Sequence, residues 1–247
     1  MSKHTVFFRF RDERQYHLCL ILLAASLLNA GLVLSRSVLA QWRGRPPLEI
    51  AWPEIQGLFG LAFGFLVWNL LLAWIPYVVA LQLERTQRRG VRLKAFWGWL
   101  VLWLLFLPNS PYIVTDFIHL KYRPPVPVYF DMVLLFSFAS TGLLLGLLSL
   151  YEIRIALRRL FPAWKTELLM LTAIGLSGFG VWLGRFQRWN SWDVLLNPGH
   201  VLRQVGRTMA RRHDLIEAFG VSALIGSLLL IGYLLLSVML PPPRHSP

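Results

Sequence analysis

The sequence predicts an all-α membrane protein of about six transmembrane helices, with a short broken or re-entrant helix near residues 111–122 and an amphipathic interfacial helix near 200–213. Three observations carry that reading. Charge is scarce: 56% of the 247 residues are hydrophobic, only 15% are charged, and mean hydropathy is +0.54, whereas soluble domains usually carry about a quarter charged residues. Six stretches hold no acid or base at all, at 18–34, 55–83, 95–115, 132–151, 168–184 and 218–243. Roughly 20 apolar residues span the ~30 Å hydrocarbon core as a helix. The connections between the stretches are short, so residues 1–247 read as a single polytopic membrane domain.

The first element follows Lys3, Arg9, Arg11 and Arg14, and Val38-Leu39-Ala40 resembles a signal cleavage site. Its apolar run is longer than a usual signal core and Arg36 precedes the site, so an uncleaved helix is expected. The second carries Asn69 in "WNLLLAWIPY" (68–77), with Pro76 set to kink it. The third meets Pro108 after a rise of only ~20 Å from residue 95. It either stops there or continues kinked through Thr115, and a break at such depth must be sheltered by protein or water.

Ser110 before Pro111 reads as an N-cap followed by proline at the first helical position, and Pro124-Pro125 closes the segment. At ~100° per residue, Tyr112, Thr115, Asp116, His119, Tyr122 and Arg123 then share one arc of roughly 120°. Asp131 opens the fourth helix. The fifth ends in "GRFQRWNSWDVLLNP" (184–198), which supplies Arg185, Arg188, Asn190 and Asp193, with Trp189 and Trp192 suited to the interface. Between Val201 and His213, Arg203, Arg207 and Arg211 recur every four residues opposite Val201, Leu202, Val205 and Met209, the pattern of a helix lying among headgroups. Gly60/Gly64, Gly142/Gly146 and Gly180/Gly184 have the spacing that lets helices approach closely in lipid.

A net charge of +13 on a soluble protein would suggest nucleic acid. Here the basic residues sit in short connections and no nucleic-acid-binding module is visible, so the expected partners are the bilayer and its anionic headgroups. With alternating crossings, 14 of the 25 basic residues share a face with the amino terminus and 11 lie opposite, six of those between 185 and 217. The bias puts the amino terminus in the cytoplasm. A cytoplasmic placement of the amphipathic helix would reverse this. The one cysteine, Cys19, excludes a disulfide within the chain and a cysteine-rich metal site.

Ionisable groups at membrane depth default to a functional hypothesis. The leading one is a polar pocket on the extracytoplasmic face, built by Asn69, Asp116, His119, Asp131, Arg185, Arg188, Asn190 and Asp193, that binds or transports a polar or anionic group such as a lipid headgroup. A second is a membrane-embedded enzyme using Asp116 and His119 as an acid–base pair, or a sparse metal site of Asp116, His119 and Asp131. A third is an assembly protein whose polar stripe only knits the helices together. The plainer roles are a salt bridge from Asp116 to Arg123 or Arg185, a helix-to-helix hydrogen bond from Asn69, and anchoring of Arg185 and Arg188 against lipid phosphates. Ser191, Asp193 and His200 make no recognisable nucleophile arrangement. The sequence names no cofactor and leaves the oligomeric state open.

The motifs "WNLLLAWIPY", "LPNSPYIVTDFIHL" (107–120), "YFDMVLLFSFASTGLLLGLLSL" (129–150) and "LSGFGVWLGRFQRWNSWDVLLNP" (176–198) together resemble a bacterial integral membrane protein family, the one catalogued as domain of unknown function 1361. The resemblance covers about residues 52–198. It implies a bacterial inner-membrane protein with no established activity, and it supplies no catalytic residues.

Overall fold

The computed structural model describes residues 10–42, 61–88, 93–189, 196, 199–200, 203, 205–206 and 211–240. Six of its helices are long and apolar enough to cross a membrane, and among the described residues there is no β-strand. They are α1 (Glu13–Trp42), α2 (Gly64–Arg88), α3 with its continuation (Ala95–His119), α5 (Val128–Arg158), α6 (Ala163–Phe186) and α7 (Arg212–Met239). Within the third, α3 (Leu93–Phe106) leads into a single turn, α4 (Asn109–Tyr112), and then a 3-10 helix (Ile113–His119).

Pairwise contacts fix an up-and-down order. Arg11 reaches Glu152 and Arg36 reaches Asp131, so α1 runs antiparallel to α5. Asn69 meets Asp116 while Gln87 donates to Ala156 O, so α2 runs parallel to α5. Glu167 accepts from Arg154, and Trp182 donates to Glu217, which places α6 and then α7 in alternation. α5 is the central post: Leu145, Leu150 and Ile153 are fully buried among neighbours on several sides. α1 and α7 are peripheral. They expose Leu27, Leu28, Leu224 and Val238, as lipid-facing helices should.

The start of α1 has a local cause that the sequence reading missed. Asp12 Oδ1 accepts the Gln15 N–H at 2.8 Å, and Gln15 Oε1 accepts the Arg11 N–H at 2.7 Å. The two side chains thereby satisfy amides at the helix start, in the manner of a capping box.

The third span settles the alternative left open at Pro108. The span runs on past the proline with a break: α3 ends at Phe106, residues 107 and 108 form a turn in which Pro108 holds φ −59°, and the chain tightens to 3-10 geometry from Ile113. Ser110 is not the expected N-cap. It lies inside the turn, fully buried, and donates its hydroxyl to Ala73 O at 3.1 Å. That carbonyl belongs to the turn of α2 before Pro76, where the proline ring disturbs the helical ladder and a hydroxyl from a neighbour is welcome.

Glycines make room for the break from two sides. A Cβ on Gly142 would lie 2.9 Å from Ser110 O and 2.8 Å from Ile113 Cδ1, and one on Gly146 would lie 2.8 Å from Ser110 Cβ. On α6, a Cβ on Gly180 would collide with the Pro108 ring, and one on Gly184 would come within 3.3 Å of Tyr112. So two of the three glycine pairs seat the kink between α5 and α6. The third does not: Gly64 meets only Leu61, at 3.8 Å, and Gly60 lies outside the described residues.

Candidate functional site

The 3-10 geometry rearranges the stripe expected from α-helical periodicity. With ~120° per residue, positions three apart eclipse one another. Ile113 and Asp116 therefore both point inward, at 1% exposure each, whereas Tyr122 lies beyond the helix and is exposed. The predicted arc divides among three sets of partners.

Asp116 is the centre of the first. Asn69 Nδ2, from α2, donates to Oδ2 at 2.9 Å. Arg185 Nη2, from the last turn of α6, donates to Oδ1. Arg185 Nε donates to Thr115 Oγ1 at 2.8 Å, and that hydroxyl in turn donates to Tyr112 O at 2.6 Å. The guanidinium carbon sits 4.5 Å from the Tyr112 ring centroid, a cation–π contact. One carboxylate thus ties α2, the 3-10 helix and α6 together, with both oxygens engaged. Of the two arginines that could pair with Asp116, the structure selects Arg185.

The second set belongs to Asp131, which takes a bidentate bond from Arg36 of α1 at 2.6 and 3.1 Å. It is fully buried and does not join the Asp116 cluster through any of these bonds. Arg36 also lies over the Phe63 ring, as does Arg123.

His119 forms the third, packing edge-on against Phe65 with centroids 5.0 Å apart. It makes no hydrogen bond to Asp116, so the acid–base pair suggested by spacing is not assembled. Among the described residues no group of three or more His, Cys, Asp or Glu side chains could hold a metal ion, and Asp116, His119 and Asp131 form none. Arg188 follows α6 in left-handed backbone, at φ 56°. Asn190 and Asp193 lie outside the described residues, as does half of the expected amphipathic helix near 200–213; of the rest, His200, Arg203, Val205, Gly206, Arg212 and His213 are helical.

A cavity of about 380 Å³ lies beside the Asp116 cluster, within the ~300–1,000 Å³ typical of small-molecule sites. Its origin is a packing gap: α3 packs along α2, whereas α6 packs along α5 and α7, leaving a groove between α3 and α6 that the kinked turn α4 closes at one end. The walls are apolar, with Val101 and Leu105 on one side and Leu176 and Phe179 on the other. Val101 and Leu176 are exposed, so the groove opens toward the lipid. Polar groups gather at its closed end, where Asn69, Asn109, Tyr112 and Trp189 line it. Among the described residues, Asn69 is the only one shared between the cavity lining and the predicted site. Asp116 and Arg185 stand behind the wall.

The opposite end of the bundle holds ionic groups that sequence reading passed over. Glu84, 1% exposed, accepts from Arg88 and Arg159 at 2.6 and 3.1 Å. Glu152, 3% exposed, accepts from Arg11 at 2.9 Å. Glu167 accepts from Arg154, Arg158 and the Tyr233 hydroxyl at 3.0, 2.6 and 2.5 Å.

No curated protein and no solved structure matches this chain. The sequence pattern of one family does, over residues 68–231, running past the fifth membrane helix into α7. That stretch is well over half of the chain and contains Asn69, Asp116, Asp131 and Arg185. This multi-pass membrane protein belongs to the family described as "Protein of unknown function (DUF1361)".

Proposed function

We propose that the protein binds an amphiphile in the groove between α3 and α6, with the apolar tail against Val101, Leu105, Leu176 and Phe179 and a polar or anionic headgroup near Asn69, Tyr112 and Trp189. The observation that carries this reading is the arrangement of the cavity: apolar walls open to lipid, and polar side chains only at the end where the helices end. Such a site matches the general pattern of ligand pockets, mostly apolar with a few convergent polar groups. The Asp116–Arg185 pair behind the wall fixes the position of Asn69 and of the Tyr112 ring. In this reading Asp116 and Arg185 are positioning residues, and Asn69 touches the headgroup together with Tyr112 and Trp189. The balance of basic residues supports placing this end on the extracytoplasmic face of a bacterial inner membrane.

The assembly reading keeps one observation in its favour: both Asp116 oxygens are already bonded within the chain. Native mass spectrometry of the full chain purified in mild detergent separates the two. Leu104→Trp, which fills the groove from α3, is expected to cut the co-purifying lipid at least tenfold while the melting temperature holds. Unchanged lipid retention in a folded Leu104→Trp variant contradicts the groove and leaves the assembly reading.

A further inference from the structure

Two arginines share one aromatic ring at the same end of the bundle, away from the groove. The guanidinium carbons of Arg36 and Arg123 lie 5.0 and 5.1 Å from the centroid of the Phe63 ring. The faces of an aromatic ring carry partial negative charge and attract cations, but a ring has no net charge to offset two. Among the described residues one carboxylate is at hand, and Arg36 occupies both of its oxygens. Among the described residues Arg123 has no ion pair within 4.0 Å. Counted over the described residues, two guanidiniums and one carboxylate leave a local excess of one positive charge beside a half-buried Arg123.

The backbone is consistent with a built feature. Phe63 holds φ 68°, the left-handed region, with its ring 3% exposed. For a bulky residue that conformation is strained and persists where surroundings enforce it, often at binding sites. The strained residue here is the platform for both cations. Burial, together with the field of Arg36, pushes Arg123 below the usual arginine range, with Asp131 opposing. An anion beside Arg123 would relieve that.

We propose that Arg123, with Arg36 fixed beside it on Phe63, forms an anion site that takes a phosphate group. Guanidinium forks suit phosphate oxygens, which can accept two parallel hydrogen bonds. Arg36 lies in the last two turns of α1, Asp131 in the first turn of α5, and Arg123 in the connection before it, the level at which headgroup phosphates stand. The phosphate comes from a lipid phosphodiester or from free phosphate, and the site is independent of the groove between α3 and α6.

The test uses the full chain in neutral detergent, titrated with phosphatidylglycerol or with inorganic phosphate and read by melting temperature and native mass spectrometry. Wild type is expected to gain melting temperature and bound mass with one of the two. Response to the lipid assigns a phosphodiester headgroup, and response to inorganic phosphate alone assigns the free ion. Arg123→Gln is expected to weaken that response at least fivefold, and Arg123→Lys to keep part of it. Without additive, Arg123→Gln should melt close to wild type, because no ion pair is lost and the lost contact with Phe63 is offset by relief of the repulsion from Arg36. Asn69→Ala, in the groove, should leave the Arg123-dependent response in place, so that failure of one site is told apart from failure of the other. A response equal in wild type and Arg123→Gln overturns the proposal. So does no response to either additive, or a large drop in the variant's melting temperature.

Discussion

At one end of the bundle Asp116 and Asp131 each pair with a single arginine, while at the other Glu84 and Glu167 each pair with two. Burial sharpens the contrast with Glu167, though not with Glu84 or Glu152, whose side chains are 1% and 4% exposed and the second of which meets the single arginine Arg11. The two aspartates and their arginines are almost sealed, with side-chain exposures of 1% and 1% against 6% and 13%. Arg158 and Glu167 keep 32% and 33%. A sealed pair with one partner per charge has no substitute when either member is lost, and the stranded charge then lacks both partner and solvent. A shared, half-solvated network redistributes. The cavity lies at the sealed end, where the Asp116 cluster fixes the side chains at its closed end.

The largest expected effect breaks this contrast directly. Asp116→Asn and Asp131→Asn should each cost about 3–5 kcal/mol of stability, because Arg185 or Arg36 is left charged and buried. Glu167→Gln should cost about 1 kcal/mol or less, since its arginines reach solvent. Reversible unfolding in mixed micelles measures all three, and equal losses at the two ends would erase the distinction.

A smaller effect is expected at the glycines around the kink. Gly142→Ala should cost about 1–3 kcal/mol by overpacking, because its Cβ would press on the backbone oxygen of Ser110. Gly175→Ala, where a Cβ meets nothing within 4 Å, should be neutral or stabilising by up to ~1 kcal/mol. The same unfolding assay reads both, and a Gly175→Ala as costly as Gly142→Ala would show that close approach at the kink does not set the cost at these positions.

The smallest effect lies at the start of α1, on the networked end. Burial alone would raise the Asp12 carboxyl, but the Gln15 amide and the Arg11 guanidinium overcome it and hold the group below the ordinary carboxylate value. A depressed folded value means that the stability from this cap is complete above the ordinary range, near pH 4, and fades as pH falls through the lower folded value. Melting curves at decreasing pH should therefore converge for wild type and Asp12→Ala. A difference that persists unchanged at strong acid would assign the cap to something other than the ionised carboxylate.

Much of the fold was legible because lipid imposes a length and an apolar composition on every crossing. All six uncharged stretches correspond to spans. Asn69, Asp116 and Arg185 stood out because polar groups are rare at such depth, and they do meet. What sequence could not supply was pairing over long separations. Arg36 read as a basic residue near a cleavage-like site, yet its partner Asp131 lies 95 positions away. Arg11 counted only toward topology, yet it meets Glu152 across 141 positions. The polar arc failed for a different reason: it assumed 3.6 residues per turn, and the chain tightens to three after the kink. The groove was illegible altogether, since it is a gap left by which helices pack on which.

The sharpest test is a pair of double-mutant cycles on unfolding free energy, Asp116→Asn with Arg185→Gln at the sealed end and Glu167→Gln with Arg158→Gln at the networked end. The account predicts a coupling of about 2 kcal/mol or more in the first and below about 0.5 kcal/mol in the second. Additive losses for Asp116 and Arg185, or couplings of equal size at the two ends, would contradict it.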